Sequence, residues 1–173
     1  MRSERGTYAL LLRSDCEAEV IVGRCGLLRV QPGYYVYVGS AFGPGGVKAR
    51  VLRHCRGTSA RNWHIDYLLG VTAALGAWCC YLTRDMEHRW AQALAKQPDV
   101  SSVNGFGCSD CMCESHLFRS RTKSNFTRFF QASAAGVERW QFKERAGNAL
   151  QSFIGKEREC PRPQRHPSLR TTQ

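Results

Sequence analysis

The chain has 173 residues, of which 43% are hydrophobic, and this length suits one domain with a short appendage. No apolar run approaches the roughly 20 residues of a membrane span, and the first residues lack the apolar centre of a signal peptide, so we expect a soluble, cytoplasmic protein without a membrane partner. The 25 Lys and Arg residues outnumber the 14 Asp and Glu residues, and the net charge of +11 favours a polyanionic partner, nucleic acid first.

The first third of the chain predicts several short strands. Residues 6–13 form an apolar run bounded by Gly6 and Ser14, which is typical of a buried strand. Two further strands are predicted at 18–23 and 26–30. The turn signal at Pro32-Gly33 predicts that the next strand, residues 34–40, folds back antiparallel on its predecessor.

A helix is predicted from about residue 47 to residue 55, directly after a glycine-rich loop. Val47, Val51 and Cys55 recur at helical spacing and predict its buried stripe. We expect this helix to pack on a small sheet in which the strands near 6–13 and 33–39 are neighbours.

The middle of the chain predicts alternating elements up to about residue 135. Residues 62–70 fit either a short helix or an extended segment. The other predicted elements are a strand at 78–82, a helix from Asp85 as N-cap to Lys96, a strand at 116–118, and a helix at 125–134. The residues of the 85–96 helix that are expected to face the core are Met86, Trp90, Ala93 and Leu94.

The composition changes after residue 135. Residues 137–158 fit a helix, and the proline-rich residues 160–173 are typical of a disordered tail. We therefore predict a domain over 1–135 and a basic, partly helical extension over 136–173, and we expect residues beyond about 140 to be dispensable for folding. The fold class predicted for the domain is α+β, with a small, mostly antiparallel sheet flanked by helices.

The order of several polar and glycine residues is informative. Gly6-Thr7-Tyr8 on one predicted strand precedes Tyr37-Val38-Gly39 on another, Arg50 and His54 follow on the next helix, and Glu87 lies on a later one. This order resembles the GIY-YIG nuclease superfamily, and over residues 6–118 it is most similar to the Uri-type endonucleases with the DUF123 domain. The stretches that carry the resemblance are PGYYVYVGSAFGPGG, ARVLRHCR, WHIDYLL and GFGCSDCMCESHLF.

The resemblance implies a metal-dependent endonuclease that hydrolyses phosphodiester bonds in DNA, with RNA as the alternative substrate; it implies no oligomeric state. In the family the tyrosine of the first motif, here Tyr8, is associated with water activation, and Tyr37 would lie beside it. A free tyrosine has a pKa of about 10, so Tyr8 needs a cation or a metal-bound water nearby to act near neutral pH. The alternative for both tyrosines is core packing.

Arg50 and His54 are candidates for the same site because residues i and i+4 share one face of a helix. A guanidinium keeps its charge and suits the transition state of phosphate transfer. Two roles stay open for His54, namely proton transfer and capping of the carboxyl end of the helix.

Glu87 is the candidate metal ligand. On the predicted helix it lies on the flank near Trp90 and Leu94, where a carboxylate is costly unless it is paired or bound to a cation. Oxygen ligands of this kind select Mg²⁺ or Mn²⁺, and we expect one such ion. The alternative is an exposed acid in the first turn, favoured by the helix dipole.

Two blocks without acidic residues predict contacts with nucleic-acid phosphates. Candidates around the first block are Gly39, Lys48, Arg53, Arg56 and Arg61, and the second block holds Arg119, Arg121, Lys123 and Arg128. His64 and Asp66 have the spacing of one strand face and are candidates for lining the same cleft.

The nine cysteines are an odd number in a chain without a recognisable secretion signal, which favours reduced thiols over disulfides. Cys108, Cys111, Cys113 and His116 offer the ligand types of a zinc site. Their spacing is too compressed for two separated ligand pairs, so structural zinc is not expected from this set. Two alternatives to an enzyme remain: a catalytically inactive nucleic-acid-binding module of the same fold, and a zinc-stabilised interaction domain.

Overall fold

The computed structural model describes residues 1–56, 62–133 and 136–142. Its elements are, in chain order, β1 (Gly6–Ser14), β2 (Ala18–Val22), a 3-10 turn (Gly23–Cys25), β3 (Gly26–Val30), β4 (Gly33–Ala41), α1 (Gly46–Arg56), α2 (His64–Leu68), β5 (Ala73–Cys80), α3 (Met86–Ala95), β6 (Ser101–Ser102), β7 (Leu117–Ser120), α4 (Lys123–Ala132) and β8 (Val137–Gln141). Among these residues no helix is long and apolar enough to cross a bilayer.

Six strands form one sheet in the order β6-β7-β4-β1-β5-β8, and every neighbouring pair is antiparallel. The hairpin β2–β3 forms a separate two-stranded sheet. The four helices flank the larger sheet, and the α+β fold class predicted from the sequence is confirmed.

Both faces of the sheet are covered, which explains why β1 is a continuous apolar run without a polar side. Tyr8, Leu10 and Leu12 pack with α1, α2 and the β2–β3 hairpin, on what we term the α1 face. Ala9 and Leu11 pack with α3 and α4, on what we term the α3 face. Successive side chains of a strand point to opposite faces, so β1 contributes to both cores.

The predicted pairing of β4 with its predecessor is wrong. β4 pairs with β1, with Tyr8 opposite Gly39, and β3 pairs with β2 instead. Pro32-Gly33 lies between β3 and β4, but a turn signal alone does not determine which strand pairs with which. The expectation that the strands near 6–13 and 33–39 are neighbours, with the following helix packed on them, is confirmed.

α1 begins close to the predicted residue but buries a different stripe. Val47 and Val51 are fully buried, and the third buried position is His54, while Cys55 is only half-buried. A stripe at i, i+4 and i+7 follows the 3.6-residue period more closely than one at i, i+4 and i+8. The helix therefore presents an imidazole to the sheet.

Residues 64–68 are helical, so the expectation that His64 and Asp66 share a strand face is wrong. Residues two apart on a helix point in nearly opposite directions. The two side chains consequently have different surroundings.

The predicted helix beginning at residue 137 is also wrong, because residues 137–141 form β8. This strand pairs with β5, whose edge would otherwise leave its backbone groups unpaired. A Cβ on Gly76 of β5 would collide with the carbonyl oxygen of Trp140, so the glycine permits the close approach. The sheet thus continues past residue 135, and the rest of the predicted helix, the tail and Arg61 lie outside the described residues.

Candidate active site

A cavity of about 420 Å³ opens beside the α1 face, within the size range of small-ligand sites. β1 and β4 bring Tyr8 and Tyr37 to it, and α1 brings Arg50 and His54. Glu87 reaches the same cavity from the first turn of α3, although the core side of that helix packs on the opposite face of the sheet. These five residues, which are separated by up to 79 positions in the sequence, therefore line one cavity.

Tyr8 and Tyr37 lie on the same face of the sheet, with ring centroids 6.3 Å apart. The hydroxyl oxygen of Tyr8 lies 2.9 Å from Nε2 of His54, within hydrogen-bond distance. The ring of Tyr37 approaches that of His54 edge-on at 6.4 Å. The two tyrosines and the histidine form one compact group at the cavity wall.

Gly39 makes this group possible. A Cβ at this position would lie 2.6 Å from the hydroxyl oxygen of Tyr8 and 3.0 Å from Cε1 of Tyr37. Any side chain would therefore displace the Tyr8 hydroxyl from His54. The sequence predicts Gly39 as a contact to nucleic-acid phosphates; in the structure the space that a side chain would take there is filled by the two tyrosine rings.

His54 is neutral at neutral pH, because burial first, and then the nearby guanidinium groups, lower its pKa to about 4 against the opposing effect of Asp66. Its Nδ1 lies 3.6 Å from Oδ1 of Asp66. A neutral ring brings no charge to the carboxyl end of α1, so the dipole-capping role has no support. With Nδ1 protonated, Nε2 is the acceptor for the Tyr8 hydroxyl.

Both tyrosines are protonated at neutral pH. Burial, together with the neighbouring Tyr37, raises the pKa of Tyr8 well above its usual value, although Arg50 opposes this. Burial followed by the charge of Glu87 likewise raises the pKa of Tyr37. Neither hydroxyl is therefore a ready-made base, and each needs added positive charge or a proton acceptor to act as one.

Arg50 is held at the rim by an aromatic ring that the sequence analysis missed. Its Cζ lies 4.1 Å from the ring centroid of Trp63, and Cζ of Arg53 lies 4.0 Å from the same ring. Trp63 is 36% exposed and lines the cavity. Within residues 1–56, 62–133 and 136–142, no carboxylate forms an ion pair with Arg50, so its charge faces the cavity without an acidic partner.

Arg53 and Asp66 instead form an ion pair, and Asp66 also binds the backbone of the two residues that precede α2. Two nitrogens of Arg53 donate to the two carboxylate oxygens of Asp66, each at 3.0 Å. Burial would raise the pKa of Asp66, but Arg53 and the backbone N–H groups of Asn62 and Trp63 outweigh it and lower that pKa. Neither partner lines the cavity, whereas His64 does, with Nδ1 accepting a hydrogen bond from the N–H of Gly107 at 3.1 Å.

Glu87 is not the exposed first-turn acid of the alternative interpretation, since its side chain is only 17% exposed. Oε1 lies 3.2 Å from Nδ1 of His116. Burial would raise the pKa of Glu87, but His116 and the hydroxyl of Ser40 outweigh it and lower the pKa. The side chain is thus a partly buried carboxylate facing the cavity, which is the kind of group a hard cation binds.

The predicted phosphate-binding residues are distributed around the cavity rather than in it. Lys48 and Arg56 are exposed on α1, and neither lines the cavity. Lys123 and Arg128 lie on α4, which packs on the α3 face. Lys123 and Arg128 therefore lie on the opposite face of the sheet from Lys48 and Arg56, which are on the helix whose Arg50 lines the cavity.

Three of the four predicted thiol-cluster residues come together, and one does not. The donor atoms of Cys111, Cys113 and His116 gather with those of His88, which the sequence analysis missed, all within 4.8 Å of one another. Cys108 is not part of this group, and its Sγ lies 3.7 Å from the carbonyl oxygen of Glu114. No disulfide joins the cysteines in the described part of the chain.

A family model described as "Domain of unknown function DUF123" matches residues 7–139. The match includes every residue of the cavity described above. Neither a curated protein nor a solved structure matches the chain.

Proposed function

This chain belongs to the DUF123 family, and we propose that it is a divalent-metal-dependent endonuclease of the GIY-YIG type that hydrolyses phosphodiester bonds in DNA. One observation supports this most strongly: Tyr8, Tyr37, Arg50, His54 and Glu87, taken from four separate elements, line a single cavity. A fold needs no such convergence of polar side chains for its stability, and burying them has a cost.

The hydrogen bond between Tyr8 and His54 supports a proton relay for water activation. As Tyr8 takes the proton of the attacking water, it passes its own proton to Nε2 of His54, 2.9 Å away. Asp66 lies 3.6 Å from the other ring nitrogen and stabilises the imidazolium that forms. The relay avoids a free tyrosinate, which the raised pKa of Tyr8 makes costly.

Arg50 and Glu87 supply the electrostatic part of the reaction. The Arg50 guanidinium faces the cavity from the Trp63 ring and would donate to phosphate oxygens as negative charge develops on them. The partly buried Glu87 carboxylate fits a single Mg²⁺ or Mn²⁺ ion, which in such sites also binds waters and substrate phosphate. The ion would lower the pKa of a bound water and offset charge on the phosphate.

The alternative is a catalytically inactive nucleic-acid-binding module. Two observations favour it: His54 is a weak base with a pKa of about 4, and the exposed Trp63 ring lies 4.1 and 4.0 Å from Cζ of Arg50 and Arg53. An aromatic ring with flanking arginines is typical of surfaces on which bases stack. Binding without cleavage under every metal condition would support this function.

We expect the purified protein to cleave DNA only when Mg²⁺ or Mn²⁺ is present. The measurement is product formation on end-labelled duplex, branched and single-stranded DNA, and on RNA, each with either metal and with a chelator. Tyr8→Phe is the matched variant, because it removes only the hydroxyl that contacts His54. Cleavage that Tyr8→Phe leaves unchanged would contradict the proposed relay, and equal cleavage in chelator would contradict the metal requirement.

We expect DNA affinity to fall as the salt concentration rises. The contribution of each basic residue to this salt dependence should depend on whether it lies on the α1 side or the α3 side of the sheet. Each cation that contacts phosphate adds roughly 0.9 to the slope of log affinity on log salt for duplex DNA. Lys48→Ala should lower that slope by about this amount, because Lys48 is exposed on α1, the helix whose Arg50 lines the cavity. Arg128→Ala is the control with the same charge change on the α3 face. Equal effects of both substitutions would show that binding does not involve the α1 side in particular.

A further inference from the structure

Four side chains bring their metal-ligating atoms together at the edge of the cavity, close enough for one ion to reach them all. Sγ of Cys111 lies 3.4 Å from Nε2 of His116, and Sγ of Cys113 lies 3.4 Å from Nδ1 of His88. All four donor atoms lie within 4.8 Å of one another. Zn–N and Zn–S bonds of about 2.0 and 2.3 Å would place tetrahedral ligand atoms about 3.3–3.8 Å apart, so the cluster needs only a small contraction around an ion.

The local backbone explains why these residues meet. Gly105 and Gly107 have φ of +75° and +73°, which turn the chain sharply before the cysteines. The segment then returns to the sheet at His116, whose N–H donates to the carbonyl of Phe106 at 2.8 Å. The loop between those two residues has little apolar content, and the side chain of Met112 is fully exposed. A metal ion would supply the cross-link that an apolar core does not.

We propose that His88, Cys111, Cys113 and His116 bind one Zn²⁺ ion in a closed structural site. Two thiolates and two imidazoles form a ligand set that selects zinc over harder cations such as Mg²⁺. Four protein ligands leave no open position, which distinguishes the site from a catalytic zinc centre. The candidate set taken from the sequence held Cys108 and was not expected to bind structural zinc; in the structure His88 from α3 takes the place of Cys108.

The proposed zinc site would also contact the cavity residue Glu87 through His116. His116 directs Nε2 to the cluster, and its Nδ1 lies 3.2 Å from Oε1 of Glu87. Zinc-bound histidines commonly present their second nitrogen to a carboxylate, which fixes the orientation of both groups. Zinc would thus position Glu87 through His116. The zinc proposal does not rest on endonuclease activity, because it concerns ligands that are complete without a substrate.

The test measures metal in the full-length protein, purified with a histidine-free tag and dialysed against a weak chelator. We expect about one zinc per chain by elemental analysis in the wild type and in Cys108→Ser, and at least about a tenfold loss in Cys113→Ser and His88→Ala. Cys108→Ser is the matched control, because it makes the same atomic change in the same loop outside the cluster. Zinc at background level in the wild type after incubation with ZnCl₂, or an equal loss in Cys108→Ser, would overturn the proposal.

A second measurement covers the case in which the ligand variants do not fold. Zinc is removed from the wild type and Co²⁺ is added, because tetrahedral cobalt with thiolate ligands has intense visible bands and an octahedral oxygen site does not. We expect those bands to saturate at about one cobalt per chain and to disappear on addition of zinc. A spectrum without them would overturn the tetrahedral thiolate site.

Discussion

Glu87→Gln should abolish metal-dependent cleavage while DNA binding persists. The substitution keeps the size of the side chain but removes the charge that would hold a divalent cation, at a position that is 17% exposed and faces the cavity. We expect a loss of at least about 10²-fold in the single-turnover rate, comparable to removal of a preorganised charged group from an active site. The measurement is cleavage at saturating protein over a range of Mg²⁺ and Mn²⁺ concentrations, with affinity determined separately in Ca²⁺.

Asp110→Asn is the control for Glu87→Gln. Asp110 also lines the cavity, so this variant makes the same charge change in the same space, but its side chain is exposed on the loop. We expect it to change the rate by less than about tenfold. If Asp110→Asn abolishes cleavage and Glu87→Gln does not, the metal ligand has been assigned to the wrong residue. Zinc content should be determined for both variants, because Glu87 contacts His116 and a loss of zinc would give a different cause for inactivity.

Arg50→Ala should lower the cleavage rate by about 10²–10³-fold with only a small loss of DNA affinity. The guanidinium faces the cavity and has Trp63 behind it, 4.1 Å from Cζ to the ring centroid, so it is aimed at the developing charge rather than at a protein carboxylate. In binding it is one phosphate contact among several. The measurement compares single-turnover rates and equilibrium affinities of the wild type and the variant on the same DNA.

Two further variants test the role assigned to Arg50. Arg50→Lys keeps the charge but loses the planar fork, so we expect an intermediate rate. Arg56→Ala makes the same change as Arg50→Ala in the last turn of the same helix, away from the cavity, and should leave the rate nearly unchanged. Equal loss of affinity and rate in Arg50→Ala would instead identify Arg50 as a binding residue without a role in the chemical step.

The local elements of the fold could be predicted because their signals are local. The apolar run of β1 and the valine spacing of α1 lie within single windows of the sequence. The partner of β4 and the strand β8 could not be predicted in this way. β8 is a strand because β5 offers it an unpaired edge, and this condition depends on residues about 60 positions earlier.

The candidate site was predictable only as far as it follows the order of motifs along the chain. Tyr8, Arg50 and Glu87 were identified by that order, and all three line the cavity. His88 was missed because it is separated from the cysteines by more than twenty residues, and nothing in its local sequence indicates a shared cluster. The neutral state of His54 could not be predicted from the sequence either, because it results from burial of the ring against the sheet.

The central position of β1 has a consequence for how the chain acquires its structure during synthesis. β1 leaves the ribosome first among the strands, yet its two neighbours are β4 and β5, which end at Ala41 and Cys80. Nearly every pairing in the sheet is therefore non-local, and such topologies fold slowly, in about milliseconds to seconds. Until β5 emerges, an apolar strand stays partly unpaired and can associate with other nascent chains. Losses during production of this protein should consequently fall with slower translation at low temperature, even where the folded state is stable.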